Sequence, residues 1–290
     1  MQGTEPLNCL KEFENMKTLK GFLTVNRFDI RYRKYGENQH TLVCVNGALQ
    51  SMSIWRTLVR RFFNDFTVIT FDMPGIGKSQ INSGGAHVTI QEQLEILNTL
   101  IEETVPSGEL TIAGASWGTA IASAYAATRP ESVKNLLLSS FGMKPNHLME
   151  TILKKAISLY HDGNYEKGAD LIVEGFGTQI GENYKRQIVT QFKRLNEANA
   201  KTFYEHCCNI LKLRNLEDQV DLNKITARTL ILNGAQDTII DLSDMWEAQR
   251  IIPNCECRLI SGVGHFLHFE RPEILEEYAK FLIPRNNSYA

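Results

Sequence analysis

Nowhere in the 290-residue chain do about 18 apolar residues run together, so no segment reads as a membrane-crossing helix. The first 21 residues contain no apolar block of signal-peptide length, which makes the cytoplasm the expected location. An excess of one charge is also missing. The 31 basic and 33 acidic residues leave a net charge of −2, and this gives no reason to expect a nucleic-acid partner. The six cysteines (Cys9, Cys44, Cys207, Cys208, Cys255 and Cys257) form no Cys-x-x-Cys pair and stand beside no histidine cluster. They read as reduced, packed side chains, and no metal site is expected. The glycine-bearing stretch Asp72-Met73-Pro74-Gly75-Ile76-Gly77-Lys78-Ser79 lacks the spacing of a phosphate-binding loop and reads as a tight structural turn, so no cofactor is expected either.

What is present is the make-up of an ordinary globular protein, 43% hydrophobic and 22% charged, long enough for one large domain or a core carrying an insertion. Residues 21 to 35 alternate around Asn26-Arg27 like an opening hairpin. The runs 41–45, 66–71, 110–113, 136–140 and 229–232 have the β-branched and apolar content of strands buried on both faces of a parallel sheet, and the last strand–helix unit begins at 257–260. Helical stripes lie between them. Met52, Trp55, Val59 and Phe62 form one, and Leu94, Leu97 and Ile101 form another, opened by a Thr89–Glu92 capping box. A last helix is expected from Pro272, with Leu275, Tyr278 and Phe281 on one face. This alternation predicts a doubly wound, mostly parallel α/β sheet. Residues 143–224 break the rhythm with helical stretches such as 147–160 and 184–213, and read as a helical lid over a core made of 1–142 and 225–290.

The chemistry centres on Gly114-Ala115-Ser116-Trp117-Gly118, where an apolar strand ends and a helix-compatible stretch begins. A serine at such a turn projects its hydroxyl from the carboxyl edge of a sheet, and flanking glycines let neighbouring backbone pass. The string alone arises by chance in roughly one chain in ten or twenty of this size, so its weight depends on its partners. A serine nucleophile needs a base, and the base needs an orienting acid; in this arrangement they follow in the order Ser, Asp or Glu, His. Asp237 follows the strand 229–232, while the other usual place for the acid, after 136–140, offers no carboxylate in 141–148. Asp237 has a competing role as cap of the next helix. Of the two histidines that follow, His265 lies in the flexible turn Gly262-Val263-Gly264-His265-Phe266 and is chosen as base. His268 is assigned to the surface or to a supporting position. The oxyanion hole is expected from the main-chain amides of Trp117 and Ala48, with Leu49 the next choice for the second donor.

These pieces together resemble the α/β-hydrolase superfamily. Within it, Val45-Asn46-Gly47-Ala48-Leu49, the Phe71-Asp72-Met73-Pro74 turn, Ala115-Ser116-Trp117-Gly118 and Gly264-His265-Phe266-Leu267 are similar to the bacterial 3-hydroxyacyl transferases. That group includes the synthase of 3-(3-hydroxyalkanoyloxy)alkanoic acids, the rhamnolipid precursor, and the 3-hydroxyacyl-carrier-protein to coenzyme A transacylase. Gly114, Gly75-x-Gly77 and Arg271-Pro272-Glu273 resemble general esterases instead. The resemblance implies Ser116, Asp237 and His265 as triad and a 3-hydroxyacyl thioester on acyl carrier protein as donor. An ester or thioester hydrolase with the same triad, and a non-catalytic receptor for an acyl ligand, are the competing functions. Leu148, Ile152, Ile157, Leu171 and Phe176 are candidates to wall an acyl pocket. Arg56, Arg60, Arg61, Lys154 and Lys155 are candidates to dock an acidic carrier protein, or are solvated helix faces.

Overall fold

A computed structural model describes residues 17–182, 185–186 and 197–283. Among them nine strands form one sheet in the order β1 (Thr18–Val25), β2 (Phe28–Tyr35), β4 (Thr67–Phe71), β3 (Thr41–Val45), β6 (Leu110–Ala115), β7 (Asn135–Ser139), β8 (Arg228–Gly234), β9 (Cys255–Ile260), and β5 (Gln80–Ile81) pairs with β2. The pairings from β4 through β9 are parallel, whereas β1 with β2 and β2 with β4 are antiparallel. The opening hairpin turns on Asn26, whose φ of +52° suits an asparagine in a two-residue turn.

The central strands alternate between two apolar layers, as a sheet covered on both faces must. Val43 and Val45 of β3 face the layer built on α2 (Ile90–Thr104) and α3 (Trp117–Thr128), whereas Leu42 and Cys44 face α1 (Arg56–Phe62) and α9 (Ile274–Leu282). Helix α2 opens on the expected capping box, with the Thr89 hydroxyl accepting from Glu92 N–H and the Glu92 carboxylate from Thr89 N–H. The stripe expected over Met52–Phe62 is instead a 3₁₀ turn, Met52–Trp55, leading into α1. Two tertiary bonds hold that turn: Met52 N–H donates to Asp72 Oδ1 at 2.6 Å and Trp55 Nε1–H to Asn46 Oδ1 at 2.7 Å.

Between β7 and β8 lie α4 (His147–His161), α5 (Tyr165–Phe176) and α6 (Glu197–Lys212). The expected helical stretch 184–213 overlaps α6, and its positions 184 and 187–196 lie outside the described residues. These helices share an apolar cluster with Ile239 and Ile240 from the loop after β8, so they cover the carboxyl edge of the sheet. The Asn209 amide donates to Val88 O at 2.8 Å and fastens α6 to the segment before α2. α7 (Ser243–Ile251) follows β8, and the short α8 (Leu267–Glu270) leads into α9.

Of the two places expected for His268, the surface or a supporting position, it takes the second. It is buried, its ring stacks on Trp55 with centroids 5.8 Å apart, and its Nε2–H points at Ile54 O, 3.3 Å away. Burial pushes its pKa down to about 4, and does the same to His206 in α6. An unfolded histidine titrates near 6.5, so between about pH 6.5 and 4 the unfolded chain binds more protons than the folded one. Stability from these two groups is therefore complete above about pH 6.5 and falls on acidification, by about 1.4 kcal/mol per pH unit for each histidine inside that window. Urea titrations at pH 7, 6 and 5 should show this decline, with His268→Gln flattening it by about half. Equal stability at pH 7 and pH 5 would contradict two buried neutral histidines.

Candidate active site at the carboxyl edge

The sheet order reverses between β3 and β6, and their carboxyl ends open a crevice there, the place where open α/β sheets take ligands. Ser116 occupies the turn from β6 into α3 with φ +51° and ψ −121°, a conformation that non-glycine residues rarely hold. Two close approaches enforce it. A Cβ on Gly118 would stand 2.3 Å from Val45 O at the end of β3, and one on Gly114 would stand 2.6 Å from Gly118 O. The turn is held by Ser116 N–H donating to Ser139 O (2.9 Å), and by the Thr119 N–H and hydroxyl donating to Ser116 O (2.8 and 2.6 Å).

Asp237 and His265 converge on this turn from β8 and from the segment after β9. His265 Nε2 lies 3.0 Å from Ser116 Oγ, and its Nδ1 lies 2.7 Å from Asp237 Oδ2. The Asp237 side chain is fully enclosed and the His265 side chain only 4% exposed. Asp237 does not serve as the cap of α7. Its Oδ1 accepts from Ile239 N–H, while Asp241 takes the turn position before that helix by accepting from the N–H and hydroxyl of Ser243.

The sequence reading missed the residues that hold this loop. Glu270 accepts from Gly264 N–H and Phe266 N–H, one on each side of His265. The Ser140 hydroxyl donates to His265 O, and Gln236 is tied to Val263 through both its side chain and its main chain. A Cβ on Gly234 would meet Gly264 O at 2.2 Å, so the end of β8 presses directly on the histidine loop. A glutamate five residues after the histidine was a visible signal, but without tertiary context it reads as a surface charge.

Ala48 and Trp117 both border the space in front of Ser116. Trp117 opens α3, so its N–H has no acceptor within the helix, and the helix dipole is positive there. Leu49 follows Ala48 with φ +67°, which turns the loop sharply, and Gln50 Oε1 accepts from Gly47 N–H at 3.1 Å. Asn46 is buried beneath that loop and donates to Phe71 O and Gln50 O.

A cavity of about 420 Å³ opens from Ser116 and His265 beneath the helices between β7 and β8. Met149, Leu153, Ile172, Val173, Phe176 and Phe203 contribute to its wall. Of the five wall residues expected from the sequence, only Phe176 lines it, and the Phe176 ring meets the His265 ring edge-on at 5.8 Å. Ile152 packs between α4 and α5 against Gly175, Ile157 and Leu171 belong to the helix cluster, and Leu148 is 43% exposed. The inward face of α4 is thus one position along from the expected one. The turn 72–79 is structural, as expected: Gly75 and Gly77 take φ of +75° and +58°, and Gly77 leaves room for the buried Asp72 carboxylate. Burial raises the Asp72 pKa. The same turn also borders the cavity through Gly75, Ile76 and Gly77.

Among the described residues no helix is long and apolar enough to cross a membrane. A (R)-3-hydroxydecanoyl-ACP:CoA transacylase from Ectopseudomonas oleovorans is 24% identical over 241 residues, covering 82% of this chain and 80% of that protein. The protein of the same name from Pseudomonas putida is 24% identical over 254 residues, covering 85% of each. Among solved structures, MGS-M2, an alpha/beta hydrolase enzyme from a Medee basin deep-sea metagenome library, superimposes with a TM-score of 0.77 at 20% identity, covering 90% of this chain and 96% of that one. These likenesses support an enzyme of the acyltransferase or hydrolase kind. The model of the alpha/beta hydrolase fold matches residues 40–186, and the chain belongs to that family.

Proposed function

We propose that this protein is a serine acyltransferase that moves a 3-hydroxyacyl group from a carrier-protein thioester, through an ester on Ser116, to a second 3-hydroxyacyl chain. The observation that carries this reading is the hydrogen-bonded line Asp237–His265–Ser116 opening on a largely apolar chamber. His265 Nε2 takes the Ser116 proton as Oγ attacks the thioester carbon, and the enclosed Asp237 carboxylate stabilises the imidazolium through Nδ1–H. The amides of Trp117 and Ala48 receive the oxyanion, each donor being worth about 3 kcal/mol of barrier. As the intermediate collapses, the carrier thiolate leaves with the proton from His265. The hydroxyl of the acceptor chain then gives its proton to His265 and attacks the acyl ester, and His265 returns that proton to Ser116 Oγ as it leaves. The ester-linked dimer stays on the acceptor's own carrier until water hydrolyses that thioester and releases a 3-(3-hydroxyalkanoyloxy)alkanoic acid.

Transfer in preference to hydrolysis requires water to be scarce at the acyl ester. The helices between β7 and β8, read here as a lid, supply the apolar wall, and Phe176 against His265 shields the base. The names of the transacylase relatives support a thioester donor on acyl carrier protein. Of the basic residues considered for docking that carrier, Arg61 pairs with Glu276 at 2.8 Å and Lys154 with Glu150 at 2.7 Å. Arg56 and Lys155 are exposed and are the better candidates.

Two measurements test this reading. A fluorophosphonate probe should label the wild type and leave folded Ser116→Ala unlabelled, and with an acyl thioester Ser116→Ala should lose at least about 10³-fold in kcat and Asp237→Asn about 10⁴-fold. Absence of labelling in folded wild type would rule out a serine enzyme and leave a receptor. Mass analysis after incubation with 3-hydroxyacyl carrier protein should find the ester-linked dimer. Free 3-hydroxy acid as the only product would make the protein a thioester hydrolase.

A further inference from the structure

Among the described residues bordering the cavity, Lys144 is the one lysine, arginine or carboxylate, and His265 is the other ionisable group. It lies in the segment joining β7 to α4, and its exposure puts it where the chamber meets solvent. The segment is anchored from below. The buried carboxylate of Asp244, in the first turn of α7, accepts from Met143 N–H at 2.7 Å and from Lys144 N–H. Nearby acidic groups do not occupy the ammonium. Asp241 and Asp244 feel its charge at a distance, but Asp241 is bound by Ser243, and no hydrogen bond or ion pair to Lys144 Nζ exists among the described residues. A cation at the mouth of a chamber whose described wall is otherwise mostly apolar favours a ligand with one negative end.

We propose that Lys144 receives the anionic group, a carboxylate or a phosphate, of an amphiphile whose apolar chain fills the chamber. The inference deepens the acyltransferase reading and rests on it for the identity of the chamber as an acyl site. It assigns Lys144 to specificity. The lysine selects acyl compounds that carry an acidic terminus and gives no advantage to neutral esters of the same length.

The test reads binding, so that it is separable from turnover. The full-length Ser116→Ala protein is titrated with octanoate, octyl phosphate and octan-1-ol at low ionic strength, by calorimetry or through Trp117 fluorescence. At least one anion should bind about fivefold tighter than the alcohol, the size expected for one partly solvated charge pair. That advantage should vanish when Lys144→Met is added and persist with Lys144→Arg. An advantage confined to octanoate identifies a carboxylate, and one confined to octyl phosphate identifies a phosphate. Equal affinities, an advantage that survives Lys144→Met, or no binding of any probe would overturn the proposal. A protein inactive toward acyl thioesters that still shows the lysine-dependent preference would fail as a transferase while keeping this ligand class.

Discussion

The contact between Gly118 and the Val45 carbonyl is the constraint on which the carboxyl edge depends. With room for only a hydrogen there, α3 starts hard against the end of β3, and the chain leaving β6 must turn within one residue. Ser116 takes the strained position, at a cost of about 1–3 kcal/mol. Bonds to Ser139 and Thr119 on either side offset it. The same geometry brings a helix N-terminus, a hydroxyl and the loop after β3 together at the point where the sheet reverses its order.

A second close approach, Gly234 against Gly264, does the equivalent for the opposite side of the site. It joins the end of β8, which leads to Asp237, to the loop that carries His265. Glu270, Ser140 and Gln236 then fix that loop by bonds to its main chain, leaving the imidazole to bridge Asp237 and Ser116. Behind the site, Asn46, Trp55 and His268 form a buried polar and aromatic support linking the β3 loop, the turn before α1 and α8. The geometry of Ser116, His265 and Asp237 is thus set by backbone contacts and buried bonds, and the helices between β7 and β8 contribute the chamber wall.

Much of this was legible in the sequence because it follows from local rules. Doubly buried parallel strands announce themselves as short apolar runs, the capping box at Thr89 is a four-residue signal, and the serine turn has its glycines at fixed offsets. The order Ser116, Asp237, His265 carried the juxtaposition that the fold displays. What stayed hidden depends on partners far along the chain. His268 gave no sign that Trp55, 213 positions earlier, would bury it, and Glu270 looks like any helix-surface acid until the His265 loop folds over it. The wall of the chamber was misread by one step on α4, since several apolar positions satisfy a helical stripe and only packing against α5 and α6 decides which face looks inward. Lys144 drew no attention as a single lysine in a loop.

The central claim is that acyl groups reside on Ser116 during turnover. Rapid acid quenching of the protein with a 3-hydroxyacyl thioester, followed by peptide mass mapping, tests it most directly. One acyl increment is expected on the peptide containing Ser116, formed and discharged within the steady state and accumulating when the substrate is replaced by an acyl thioester that lacks the 3-hydroxyl group. Turnover with no adduct at Ser116, or with the acyl group on one of the cysteines, would contradict it.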